Sequence, residues 1–263
     1  MKWNNDDLED LTLAISLLEN PGLIAKLSDL VGTPIEYLLK NLPRSAGDKI
    51  TQVTHKSLVA AVNAAVRTMN PQGRLAPWSK AHMAAAGVAG GIGGAFGLVA
   101  IPIELPITTT IIMRSIADIA RSEGEDLTAV ASRLACLEVF AMGGPSVEDD
   151  AAESGYFAVR TALGQAVSEA AKYVAKRTVV EDGAPVIVRL LAQVAARFNT
   201  VVGEKIMAQG VPIVGALGGA TINVLFIEHF QDMARGHFIV RRLERRYGED
   251  EVRKAYGEIL SHR

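Results

Sequence analysis

Two stretches without a charged residue, Met83 to Ile103 and Ile206 to Ile227, constrain this chain's fold more than any other feature. Each is about as long as a helix that crosses a hydrocarbon core. Neither is oily enough to do so with ease. The first carries seven strong hydrophobes, worth about −2 to −4 kcal/mol of insertion in sum, and sets six glycines and Pro102 against them. The second has ten such residues and four glycines, and is weakened by Gln209, Pro212 and Asn223. Small residues recur every fourth position. Ala85, Ala89, Gly93 and Gly97 form one row, Ala86, Gly90 and Gly94 the next, and Gly215 and Gly219 repeat the spacing. A helix face stripped of side chains lets another backbone approach closely and gain dispersion contacts. The expectation is two Gly-rich apolar helical hairpins, packed in a core or against a membrane.

The rest of the chain predicts an all-α, multi-helix bundle. Nearly half of the residues are apolar but only 5% are aromatic, a balance that suits closely packed helices better than strands. Apolar residues at helical spacing predict helices over Asp6–Asn20, Leu23–Val31, Ile35–Leu42 and about Ser45–Met69. Further helices are expected from near Pro106 to Glu123, from Glu125 to Met142, over about Asp150–Arg177 and Val186–Met207, and at Glu249–Leu260. Asn70-Pro71-Gln72-Gly73 and Ala76-Pro77 read as a linker between an N-terminal helical region, 1–70, and a second, 80–263, within one continuous domain. With one cysteine, Cys136, there is no intrachain disulfide, and a reducing compartment fits. The acidic start MKWNNDDLEDL has no signal-peptide pattern, so secretion is not expected. A net charge of −2 gives no reason to expect a nucleic-acid partner.

One carboxylate, Glu104, lies between Pro102 and Pro106 at the end of the first apolar stretch. Each proline lacks an N–H and disfavours helix at the residue before it, so the chain should leave one helix at about Ile101 and start another near Pro106. Glu104 then meets the free N–H groups of the new helix, or faces an interior cavity as partner to Arg114 or to an ion. Arg114, Asp118 and Arg121 share a helix face and suit an ion pair. After Asn223, the residues Glu228, Asp232 and Arg235 share another face, and His229 and Asp232 stand three apart, as two metal ligands would. The sequence has no HExxH, no Cys–His cluster and no three-ligand zinc spacing. It also lacks a G-x-S-x-G elbow and a GxxxxGK[ST] loop, and Gly90-Gly91-Ile92-Gly93-Gly94 follows no predicted strand. No catalytic residue, metal or cofactor is therefore assigned. Near the end, Arg241, Arg242, Arg245 and Arg246 cluster beside Phe238, Ile239, Val240 and Leu243. Such a helix either lies on an anionic leaflet or is solvated with Arg–Glu pairs through Glu244.

Four stretches resemble the bacterial EcsC family: GLVAIPIELPITTTIIMRSIADIARSEGED after the glycine run, QGVPIVGALGGATINVLFI, the Ala234 to Phe238 AxxxF, and RRLERRYG. The family is named for a protein encoded beside the subunits of an ABC-type transporter, and some members carry a peptidase or hydrolase label. The resemblance implies an intracellular, membrane-associated helical protein and supplies no catalytic residues. The expected function is a non-enzymatic accessory on the cytoplasmic face of the membrane, peripheral or inserted, whose partner is lipid or a membrane transport complex. One alternative is a metal- or carboxylate-dependent hydrolase using Glu104, Glu228 and Asp232. Another is a pore component that inserts its hairpins.

Overall fold

The computed structural model describes residues 3–19, 22–40, 44–67, 101–142, 155–175, 184–211 and 215–262. Among them are ten α-helices, one 3-10 turn and no strand. The helices are α1 (Asn5–Leu18), α2 (Leu23–Val31), α3 (Ile35–Lys40), α4 (Arg44–Arg67) and α5 (Ile101–Ser122). They continue with α6 (Val130–Glu138) and its 3-10 extension (Val139–Ala141), α7 (Gly155–Ala175), α8 (Pro185–Gln209), α9 (Gly215–Tyr247) and α10 (Glu249–Ser261).

Local chemistry sets most of the boundaries. Asp6 and Asp7 occupy the first turn of α1, where carboxylates meet the positive end of the helix dipole. Leu23, Leu27 and Val31 form the buried edge of α2, which stops at Gly32 with φ +65°, a left-handed cap. Pro185 opens α8 from the extended Ala184, and Gly248, with φ +92°, separates α9 from α10.

Two boundaries differ from expectation. The helix does not restart near Pro106; α5 runs from Ile101 with Pro106 inside it. Proline removes one backbone hydrogen bond there, while burial of Leu105 just before it and of Thr108, Thr109 and Ile112 after it holds the helical path. Glu125 and Asp126 do not open the next helix. The Asp126 carboxylate accepts hydrogen bonds from the Thr128 amide (2.9 Å) and hydroxyl (2.7 Å), which folds this segment into a turn and delays α6 to Val130.

Four long helices form a closed ring: α4 packs on α5, α5 on α9, α9 on α8, and α8 back on α4. Phe198, Phe226 and Phe230 fill its middle, joined by Phe140 from the 3-10 turn, with ring centroids 5.1–6.2 Å apart. Helices α6 and α7 close one side of the ring, while α1, α2 and α10 pack on α9. Buried residues from Leu11 to Tyr256 belong to one hydrophobic cluster, so the N-terminal helices share the core of the remainder.

The second apolar stretch is divided between two helices: it ends α8, turns at Gly210 and begins α9. Contacts of Phe198 with Phe226 and Phe230 hold these helices side by side. Gly219 is buried on α9. Gly90, Gly93, Gly94 and Gly97 lie outside the described residues, as do the side-chain surroundings of Gly215. The tightest described glycine contact is elsewhere. A Cβ on Gly236 would stand 2.6 Å from Leu18 Cγ and 3.1 Å from the Ala14 carbonyl oxygen, so α1 lies almost directly on the α9 backbone.

Candidate functional site

Glu104 lies in the first turn of α5, buried, and its partner is Lys205 on α8 rather than Arg114. Lys205 Nζ donates to Glu104 Oε1 at 2.6 Å, Gln209 Nε2 to Oε2 at 3.2 Å, and the Thr108 hydroxyl to Oε1 at 3.3 Å. Asn223 Nδ2 on α9 donates to Thr108 Oγ1 at 3.4 Å, and the Lys205 ammonium sits 4.7 Å from the centre of the Phe226 ring. Burial pulls the Lys205 pKa down, and the Glu104 charge opposes that pull. Farther along, Gln231 Nε2 donates to Ser115 Oγ at 2.8 Å. These bonds tie the same end of α5, α8 and α9 together. In this buried pair each charge meets its counter-charge, and both Glu104 oxygens accept hydrogen bonds.

The other sequence candidates do not join it. Arg114 is exposed, and Asp118 pairs with Arg121 at 3.1 Å. Glu228 faces Lys26 on α2 at 3.7 Å, and Asp232 pairs with Arg235 at 3.2 Å. With Ser115 level with Gln231, Glu228 lies about 12 Å along the axis from the level of Glu104, at 1.5 Å per residue. The proposed carboxylate centre of Glu104, Glu228 and Asp232 is therefore not assembled. His229 is buried beside Phe230; burial, reinforced by Lys26, pushes its pKa down to about 4, and its Nε2 has no hydrogen-bond partner. Among the described residues no group of three or more His, Cys, Asp or Glu could hold a metal ion.

The four C-terminal arginines are engaged inside the molecule. Arg241 Nε donates to Glu125 Oε1 at 2.8 Å, and Arg245 reaches the same carboxylate and the Glu123 carbonyl oxygen. Arg242 pairs with Asp10 at 2.6 Å and Glu123 at 3.1 Å, and Arg246 with Asp7 at 2.7 Å. Burial raises the Glu125 pKa, but hydrogen bonds from Arg241 and Ser132 outweigh it and bring the carboxyl below its usual range. Ser132 thus donates to a weakly basic carboxylate, an arrangement unsuited to activating its hydroxyl. Glu244, for which local pairing was one of the two alternatives, binds Arg160 of α7 with two hydrogen bonds, 2.6 and 3.0 Å.

That contact belongs to a second buried cluster that sequence reading missed. Arg160 Nη1 donates to the Tyr156 hydroxyl at 3.3 Å, the hydroxyl lies 3.0 Å from His237 Nδ1, and His237 Nε2 faces Glu138 Oε2 at 4.0 Å. Burial raises the Tyr156 pKa and lowers that of His237 well below its usual value. Cys136 is buried nearby, and desolvation raises its thiol pKa far above the range of a reactive thiolate.

The EcsC protein family model matches residues 24–243. The chain belongs to the EcsC family. The matched region holds α2 to α9 almost entirely, and with them the first buried cluster of this EcsC protein and all of the second but Glu244; α1 and α10 fall outside it. No curated protein and no solved structure matches the chain significantly.

Proposed function

We propose that this EcsC protein is a non-enzymatic accessory at the cytoplasmic face of the bacterial membrane, where it binds lipid or a membrane transport complex through the apolar end of its helix ring. The observation that carries the reading is that the described parts of both charge-free stretches lie at that end. Residues 101–103 open α5, residues 206–211 end α8, residues 215–227 begin α9, and the Glu104–Lys205 pair joins α5 to α8. Ile103 and Ile107 stand one turn apart on α5 at this end and are 72% and 50% exposed. The opposite end carries the arginines, whose charges are met by Asp7, Asp10, Glu123 and Glu125. Attachment through the apolar end is therefore favoured over attachment through the basic tail. Helix α8 is the one described helix long and apolar enough to cross a membrane, with half of its most apolar window buried in the protein.

Membrane fractionation tests the proposal. The protein is expected in the membrane fraction, retained in high salt and released by alkaline carbonate. Replacing Ile103 and Ile107 together by Asp should reduce vesicle binding, and replacing Arg245 and Arg246 by Glu should not. A wild-type protein that stays wholly soluble at low salt and binds no vesicle of phosphatidylglycerol and phosphatidylcholine would refute it.

A further inference from the structure

His237 has no exposed surface, yet one of its ring nitrogens points at a carboxylate without reaching it. Its neighbours decide which nitrogen carries the proton. Arg160 Nη1 donates to the Tyr156 oxygen, and among the described hydrogen bonds His237 Nδ1 is the one acceptor in reach of the Tyr156 hydroxyl, so the hydroxyl proton is assigned to that bond. Nδ1 is then the acceptor, and Nε2 bears the hydrogen and directs it at Glu138 Oε2, 4.0 Å away. That gap exceeds a hydrogen bond by about 1 Å.

The surrounding charges leave a place for one more anion. Arg160 is matched by Glu244, whereas Glu125 is shared by Arg241 and Arg245. The described charges acting on Glu138 come from Arg160 on α7, Arg241 and Glu244 on α9, and Glu125 in the loop before α6. Those acting on His237 are Arg160 and Arg241, both of which keep the ring neutral, as burial does.

We infer that Glu138, His237 and Tyr156 form a proton-operated latch between α6, α7 and α9, in which loss of the Glu138 proton draws the His237 Nε2–H onto the carboxylate. The proton leaves to solvent, His237 stays neutral and keeps its tautomer, and one charge-assisted hydrogen bond forms. Burial holds the Glu138 carboxyl up at about 7, so the latch operates near neutral pH. Glu138 ends α6, and the next turn places Phe140 among Phe198 and Phe230, so closing the gap bears on the aromatic centre of the ring. This inference is independent of membrane attachment.

Nitrogen-15 NMR of the histidine rings in the full chain, followed from about pH 5 to about pH 9, tests it. His237 is expected to remain a neutral Nε2–H tautomer throughout, with its Hε2 resonance moving downfield through a single midpoint near 7. In Glu138→Gln, which keeps an acceptor but loses the ionisation, that midpoint should vanish. An Nδ1–H tautomer, a charged His237, an Hε2 resonance that ignores pH, or a midpoint that persists in Glu138→Gln would each overturn the latch. The tautomer and the titration are read in the wild type, so the test stands even if the variant does not fold.

Discussion

Replacing Lys205 by Met separates a buried ion pair from an incidental one. Methionine keeps most of the volume but removes the ammonium, which stands 2.6 Å from Glu104 Oε1 and over the Phe226 ring. Glu104 would keep only the Thr108 hydroxyl and the Gln209 amide, in a pocket where its side chain is 5% exposed. Leaving one member of a buried pair without its counter-charge costs about 3–5 kcal/mol. In a chain of this size that lowers Tm by roughly 6–20 °C. Urea unfolding followed by far-ultraviolet circular dichroism at pH 7 measures the loss. The double variant Glu104→Leu/Lys205→Met removes both charges of the pair and should be more stable than Lys205→Met alone, with a coupling above about 2 kcal/mol. A single variant within about 1 kcal/mol of wild type, as for an exposed pair, would refute the reasoning, as would strictly additive effects.

Three further outcomes follow from particular contacts. Gly236→Ala should destabilise by about 1–3 kcal/mol in urea unfolding, because the added methyl meets Leu18 and the α1 backbone, and Leu18→Ala should relieve part of that cost. The Glu138 carboxyl is raised from the ordinary 4.5 to about 7, so its contribution to stability is full below 4.5, falls as pH rises and is lost above 7. Glu138→Gln should flatten that decline, worth about 3 kcal/mol, when urea midpoints at pH 5 and pH 8 are compared with wild type. Arg241→Met should cost about 2–3 kcal/mol, since both its guanidinium and Glu125 are withdrawn from water, whereas Arg246→Met should cost under about 1 kcal/mol in the same assay because its guanidinium is largely in water and Asp7 keeps the hydrogen bond from the Tyr247 hydroxyl.

The helices were legible wherever punctuation was local. Gly32, Pro185 and Gly248 each end or begin an element through their own backbone geometry, and the Leu23–Val31 and Glu249–Leu260 expectations fall within one residue of α2 and α10. The Pro106 error has the opposite origin, because a core built by distant residues overrode a local rule. Site chemistry was harder to read for the same reason. Glu104 and Asn223 were singled out as polar positions in apolar surroundings, and both proved buried in one hydrogen-bonded chain. The partner of Glu104, Lys205, lies 101 positions from it, a distance that no periodicity reports. A signal did exist: Lys205 and Gln209 stand four apart at the edge of the second apolar stretch and so face one direction. His237, Tyr156 and Glu138 left no comparable trace, since each alone looks like an ordinary helix residue.

Helix α9 has 33 residues and is about 50 Å long. Near its start Asn223 bonds to α5, and near its finish Arg241, Arg242, Arg245 and Arg246 grip α1 and the loop before α6. Asn223 and Arg241 are about 27 Å apart at 1.5 Å per residue on one unbroken helix, so sliding α9 along its own axis has to strain both sets of contacts together.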